Sequence, residues 1–380
     1  MKIKLLCAAA CAAAFSMNVA AQTEQPKRMT FDQVYELVKA SLPPSIKSDN
    51  RDLVKFLASA KLDTENPLSK TFDSAKVTRA VFGRLSPNRD PSCGRSATPT
   101  GDPDQGLCTS TFGDANGTGL FTVLSYSKDM THGDITFLKR PALKDISPDT
   151  LKNVTRDPSD AYKAAVEFAV GTLGLSKLEI PTPPAGVDFK AIVNTLSLGS
   201  GQKERSENRS DLFRVVSLKR GAQLPSPISV PGTAASVVSL THILAPGEAT
   251  LFLDDTGVQA ARVEGWASLP IDPKLDLGAA KSDVELADEI ARELYAGGGQ
   301  QIAKVQMAFA LAPSGYPNPD DPNPPLCPVC GVLRPVLRVV MYTFDTKIES
   351  AQGEVAAPGL VHEFQLVDGS QQAPVRPTQQ

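Results

Sequence analysis

The chain has 380 residues, of which 41% are hydrophobic and 21% charged, and a formal net charge of -3. That length and composition fit a globular protein of two or three ordinary domains. Without its first 21 residues, which hold Lys2 and Lys4 and no acid, the chain carries -3 - 2 = -5, and so mild an acidic excess offers no basic face for nucleic acid.

Residues 1–21 have the pattern of a secretory signal. Lys2 and Lys4 form the basic end, Leu5 to Phe15 an apolar run, and Val19, Ala20 and Ala21 a small-residue cleavage site before Gln22. Ala8 stands where lipoprotein processing at Cys11 expects a bulky aliphatic residue. No later stretch is apolar for long enough to span a membrane. The mature chain is therefore expected in a periplasm or outside the cell.

Thr30 with Gln33 makes a capping box, and Phe31, Val34, Tyr35, Val38 and Leu42 fall near one side of the helix that follows. Pro43 and Pro44 stop it. Asn50 caps a second expected helix over 51–61. The runs 75–85, 120–126 and 134–138 read as strands. Between the first two lies a long loop, 86–119, dense in Gly, Pro, Asp, Ser and Thr. Residues 140–156 read as a connector between an N-terminal unit, 22–140, and a main domain, 157–369.

Asp157 and Pro158 open the next helix with a cap and a first-turn proline. Tyr162, Val166, Ala169, Val170 and Leu173 form its stripe, and Gly174 ends it. Strands are expected at 189–198, 213–218, 236–240, 249–253 and 258–266, separated by Pro- and Gly-rich turns. Thr256-Gly257, beside Asp254 and Asp255, suits a tight hairpin. Trp266, the sole tryptophan, reads as core at the end of the sheet. Ser282 and Glu285 form another capping box, with Leu286, Ile290, Ala291 and Leu294 as the apolar stripe. Strands follow at 302–311 and 332–344, the second interrupted by Pro335, which favours an edge or a strand start. The intervening 313–328 is a proline loop. The tail 370–380 is polar and expected to be disordered. The fold class is thus α+β: antiparallel sheets with helices packed on one face, in two units.

Four cysteines survive signal removal: Cys93, Cys108, Cys327 and Cys330. An even number in an oxidising compartment implies two disulfides, and four cysteines allow three pairings. The local choice, Cys93–Cys108 with Cys327–Cys330, closes two loops. The Cys327-Pro-Val-Cys330 motif lacks the helix start that a redox dithiol needs, and the other pair is too widely spaced for a zinc knuckle.

From Phe213-Arg214 through Pro231-Gly232 to Trp266-Ala267-Ser268-Leu269, and on to Leu333-Arg334-Pro335-Val336, the order of parts resembles the PepSY-like and thermolysin-propeptide-like modules of exported bacterial proteins. The likeness covers about 157–344. It implies a helix packed across a small antiparallel sheet and a role in binding or restraining other proteins, often peptidases. The pattern contains no catalytic signature, so it assigns no functional residue. The segment 240–248 and the Cys327–Cys330 insertion depart from it.

The remaining chemistry is sparse. His132, His242 and His362 have no metal-ligand spacing, and no nucleophile-elbow motif occurs. Asp114, Asn116 and Thr118 begin like a calcium loop, but Ser125 replaces the closing acid. Gly297–Gly299 follow a helix, at the wrong end for phosphate. Lys203, Arg205, Arg209, Lys219 and Arg220 lie among acids and read as a solvated face. No cofactor, metal site or catalytic set is expected. The leading expectation is a non-enzymatic protein that binds an unknown protein or peptide. The alternatives are an exported hydrolase with an unconventional site and a structural envelope component.

Overall fold

The computed structural model describes residues 29–83, 92–95, 106–112, 122–127, 130, 132–139, 153–181, 192–198, 210–231, 237–272, 275–297, 302–314, 332–350 and 353–368. The helices are α1 (Phe31–Ser41), α2 (Arg51–Ala58), α3 (Leu68–Thr71), α4 (Ser74–Phe82), α5 (Pro158–Gly171) and α6 (Asp283–Ala296). The strands are β1 (Ser92–Arg95), β2 (Gly106–Phe112), β3 (Thr122–Ser127), β4 (Ile135–Leu138), β5 (Ile192–Leu198), β6 (Ser210–Pro231), β7 (Val237–Asp254), β8 (Gly257–Glu264), β9 (Ile302–Ser314), β10 (Val332–Ser350) and β11 (Gly353–Gln365).

Helices are thus combined with one large sheet. Its order is β1-β2-β3-β4-β8-β7-β9-β10-β11, with β6 on the other side of β7 and β5 beyond β6. Among the described residues the ladders between strands are antiparallel, and parallel pairing is confined to two bridges, Leu244 of β7 with Ala310 of β9 and Ile271 with Leu333 of β10.

The local start signals form as expected. The Thr30–Gln33 and Ser282–Glu285 capping boxes are closed in both directions, and Asp157 accepts from the Ser159 amide. Asp254 accepts from the amides of Thr256 and Gly257 and so builds the β7–β8 turn. Asn50 does occupy an N-cap position, but its side chain does not cap. It is 1% exposed and bonds the Lys47 amide, the Lys47 carbonyl and the Lys281 carbonyl instead, joining the starts of α2 and α6.

Three expectations are corrected. The run 75–85 is helical over Ser74–Phe82, because Asp73 accepts from the amides of Ala75 and Lys76, and Val77, Val81 and Phe82 share a buried side. The separate runs 236–240 and 249–253 belong to one strand, β7. Pro335 is not on an edge strand: β10 is flanked by β9 and β11. Its carbonyl accepts from Leu366, so its polar backbone side faces β11, whose pairing begins one residue on, at Val336 with Gln365. The missing N–H therefore costs no ladder bond there.

The hydrophobic cores draw on distant parts of the chain. One core gathers Val34, Val38, Val54 and Leu57 of α1 and α2 with Leu286, Ile290 and Leu294 of α6 and with Phe309, Leu337 and Phe364 of the C-terminal strands. The other gathers Val77 and Phe82 of α4, the alanines of α5, and Leu124, Phe137, Leu218, Leu251 and Val263 of β3, β4, β6, β7 and β8. β4 pairs directly with β8. The first two helices therefore serve the C-terminal core, while β1–β4 form one end of the sheet and α4 packs into the core beside it.

These two cores lie on one side of the β6–β7 ribbon, and a smaller cluster of Leu244, Ala310, Ala312 and Val336 lies on the other. Along β6, Val216 and Leu218 enter one core, and Ala222 and Leu224 the other. Along β7, Ala249, Leu251 and Leu253 enter one, and Ile243 and Ala245 the other. Residues two apart in a strand share a face, so both helix layers cover the same face.

Candidate functional site

Cys93 and Cys108 stand opposite each other in the β1–β2 ladder and are disulfide-bonded. Cys108 is buried and Cys93 exposed, so the bond pins a four-residue strand at the margin of the sheet. Cys327 and Cys330 lie outside the described residues, as do the signal-like start, the Asp114–Gly119 motif, the polar tail and Lys203, Arg205 and Arg209.

The three histidines have three separate surroundings. His242 meets the Leu178 carbonyl through Nε2 and Thr241 through Nδ1, both at 2.9 Å. His132 lies near Asp134, whose carboxyl accepts from the Gly265 amide; burial pushes the Asp134 carboxyl up from its usual range. His362 lies between β11 and α6, with Nδ1 3.6 Å from Glu293 and Nε2 buried without a partner. Burial holds its ring below the usual imidazole range, against the pull of Glu293. Among the described residues no group of three His, Cys, Asp or Glu side chains is arranged to hold a metal.

One buried ionic cluster does form, around Glu179. Its side chain is 4% exposed and that of its partner Arg220 is 2% exposed. Glu179 Oε2 accepts from Arg220 Nε and from Trp266 Nε1, each at 2.8 Å. Oε1 accepts from Arg220 Nη2 and from the Asp63 amide, each at 2.9 Å. The guanidinium also donates to the carbonyls of Pro246 and Ala267 and stacks on Trp266, 5.5 Å from the ring centroid. A carboxylate with four donors and a guanidinium with its acceptors are satisfied groups; this is cross-bracing, with nothing left to react. Gly247 lets it close: at φ +126°, a Cβ there would sit 3.0 Å from Arg220 and 3.2 Å from Trp266. Trp266 is core, as expected; its polar partner was not expected.

The other face of the sheet carries the surface best suited to contact. No core residue of a described helix lies on it. Val215, Phe252, Ala260, Leu138 and Val123 stand opposite one another in turn across β6, β7, β8, β4 and β3. These five apolar side chains form one straight row, which none of the strands reveals alone. Leu138 is 36% exposed, the other four are half-buried, and Phe213 packs edge-on against Phe252.

A second row runs beside it: Ser217, Thr250, Arg262, Thr136, Ser125 and Thr109. Five of the six carry hydroxyls. Thr109 and Ser125 are hydrogen-bonded at 3.1 Å, and Ser217 and Thr250 meet at 3.5 Å. Two ion pairs lie on this face: Arg262 with Glu264, and Lys219 with Glu248. Lys219 and Arg220, grouped in the sequence reading as one solvated face, are therefore separated by it. Lys219 is on the helix-free face, and Arg220 is in the interior.

Among the described residues no helix is long and apolar enough to cross a membrane. Comparison of the chain with protein-family models, with curated proteins and with solved structures returned no match.

Proposed function

We propose that this is an exported, non-catalytic binding protein whose helix-free sheet face takes another protein or a peptide. The observation that carries the reading is the straight apolar row from Val215 to Val123, flanked by hydroxyls and by the ion pairs Arg262–Glu264 and Lys219–Glu248. A contiguous apolar patch rimmed by polar groups is what a protein contact buries, and neutral hydroxyls adapt to a partner's backbone groups. The separate surroundings of the histidines and the full satisfaction of Glu179 and Arg220 support binding over hydrolysis. Export rests on the signal-like start and on the disulfide between Cys93 and Cys108, which suits an oxidising compartment. The resemblance to modules that bind or restrain other proteins points the same way.

The test is site-specific photocrosslinking in the native exported fraction. A benzophenone side chain at Leu138 or Ala260 is expected to give a discrete adduct, whereas the same group at Lys163, on the exposed side of α5, gives none. Equal labelling from all three positions, or none from Leu138 and Ala260, would refute the assignment.

A further inference from the structure

The margins of the sheet differ in how they are protected. At one end β1 is four residues long, carries Arg95 and is pinned to β2 by a disulfide. Along another, β11 contains Pro358 and the charges Glu354 and Glu363, and Ala280 bridges the chain just beyond it, at Val367. Short strands, prolines, charges and covering segments are the usual means of blocking an edge. The third margin, β5, shows none of them among the described residues. Its seven residues, Ile-Val-Asn-Thr-Leu-Ser-Leu, contain no charge and no proline, and among the described residues β6 is its one strand neighbour. A register shift between Leu196 and Ser197 leaves Ile192–Leu196 regular.

A second observation lies on α5. Ala161, Ala165 and Ala169 face the sheet and are fully buried. Phe168, on one flank, meets Phe137 of β4, with ring centroids 5.7 Å apart. The helical period puts Tyr162, Val166 and Val170 on the opposite flank, which the strand order turns toward β6 and β5. All three are half-buried, and Tyr162 is desolvated enough to raise its phenol. An uncharged strand edge and an apolar helix flank therefore face the same way.

We propose that this margin is the interface between two copies of the chain, with β5 pairing antiparallel to β5 of the second copy and the two α5 flanks meeting above. A two-fold axis at Thr195 sets Ile192 against Leu198, Val193 against Ser197 and Asn194 against Leu196. No like charges meet anywhere in that register, so the strand complements itself as an isologous contact requires. A foreign strand would need the same lack of charge; the second copy supplies it by construction. Seven paired residues alone fall short of the roughly 800 Å² per partner of a standard interface, so the α5 flank is a needed part of it. The proposal is independent of the Val215–Val123 row, which such a dimer does not use.

Sedimentation velocity on the exported protein, across a wide concentration range, tests it. The mass is expected to move from one chain to two. Thr195→Pro and Asn194→Lys each weaken the association by at least about tenfold. Val166→Lys, which leaves the strand untouched, does the same, so a folding defect in Thr195→Pro does not decide the matter. Val361→Lys, on the β11 side, leaves it unchanged. A single-chain mass at every concentration would overturn the proposal. So would a dimer indifferent to Asn194→Lys and Val166→Lys.

Discussion

Replacing Glu179 with alanine tests the buried cluster most directly. The substitution removes the carboxylate that takes two bonds from Arg220, one from Trp266 Nε1 and one from the Asp63 amide. It leaves a guanidinium, 2% exposed, with the Pro246 and Ala267 carbonyls as its remaining acceptors. Breaking a buried ion pair from one side costs about 3–5 kcal/mol, because the surviving charge is stranded. Replacing both partners, Glu179→Leu with Arg220→Met, removes more bonds but strands no charge, and is expected to cost less than the single change. What it leaves behind is the Trp266 indole N–H and the Asp63 amide, which the single change orphans as well, and the Pro246 and Ala267 carbonyls, each about 1 kcal/mol or a little more, with no charge among them. Trp266 is the only tryptophan, so its fluorescence in a urea titration reports this cluster without any label. At a slope of about 2–3 kcal/mol per molar urea, the single variant shifts the midpoint down by about 1–2 M. A single variant that unfolds with the wild-type midpoint, or a double variant less stable than the single, would refute the reasoning.

Other outcomes follow from the same contacts. His362 is held below its ordinary value of 6.5 in the folded chain, so the unfolded chain binds the proton first as pH falls. Stability is therefore lost as pH drops through 6.5 toward the lower folded value, and His362→Gln should flatten urea midpoints across that window; an unchanged slope would rule this out. Cys93→Ser with Cys108→Ser opens a link of sequence separation 15, worth about 3 kcal/mol by loop-closure entropy, and hydrogen exchange should show β1 losing protection before β2 and β3. Asn50→Ala leaves the Lys47 and Lys281 carbonyls and the Lys47 amide short of partners, and should lower stability by about 2 kcal/mol in chemical denaturation.

What could be read in the sequence was local. The boxes at Thr30 and Ser282, the Asp157–Pro158 start and the Asp254 turn each involve groups within a few residues of one another, and each formed. The Cys93–Cys108 bond was legible for the same reason. Errors came where local signals competed. Val77, Thr78 and Val81 look β-like, but the Asp73 cap, overlooked, prevails. Gly221, Pro225 and Pro227 read as breaks, yet β6 continues across them because the pairing with β7 shifts register between Lys219 and Gly221 and between Gln223 and Ile228. The candidate surface was hidden for a different reason. Its apolar row draws one residue from each of five strands, and which residues align depends on pairings far apart in the chain, such as Leu138 with Ala260. Glu179 had no signal at all, since its indole partner lies 87 residues away.

The position of the ionic cluster gives it a further role in the fold. On β6, Arg220 stands between Leu218, in one hydrophobic core, and Ala222, in the other; on β7, Gly247 stands between Ala249 and Ala245. The cluster is thus the partition between two cores that share one ribbon. An apolar partition would let the ribbon slide by two residues at little cost, because small aliphatic side chains would still meet aliphatic side chains. A guanidinium that must reach Glu179 and the carbonyls of Pro246 and Ala267 fixes the register at one point, and a two-residue slip would bury it unpaired. The register it anchors runs on to the apolar row on the opposite face, since Val215 and Phe252 lie in the β6–β7 ladder that ends at Lys219, one residue before Arg220. The buried charge therefore contributes to the proposed binding surface without touching it, by holding the two long strands in the one alignment that makes the row straight.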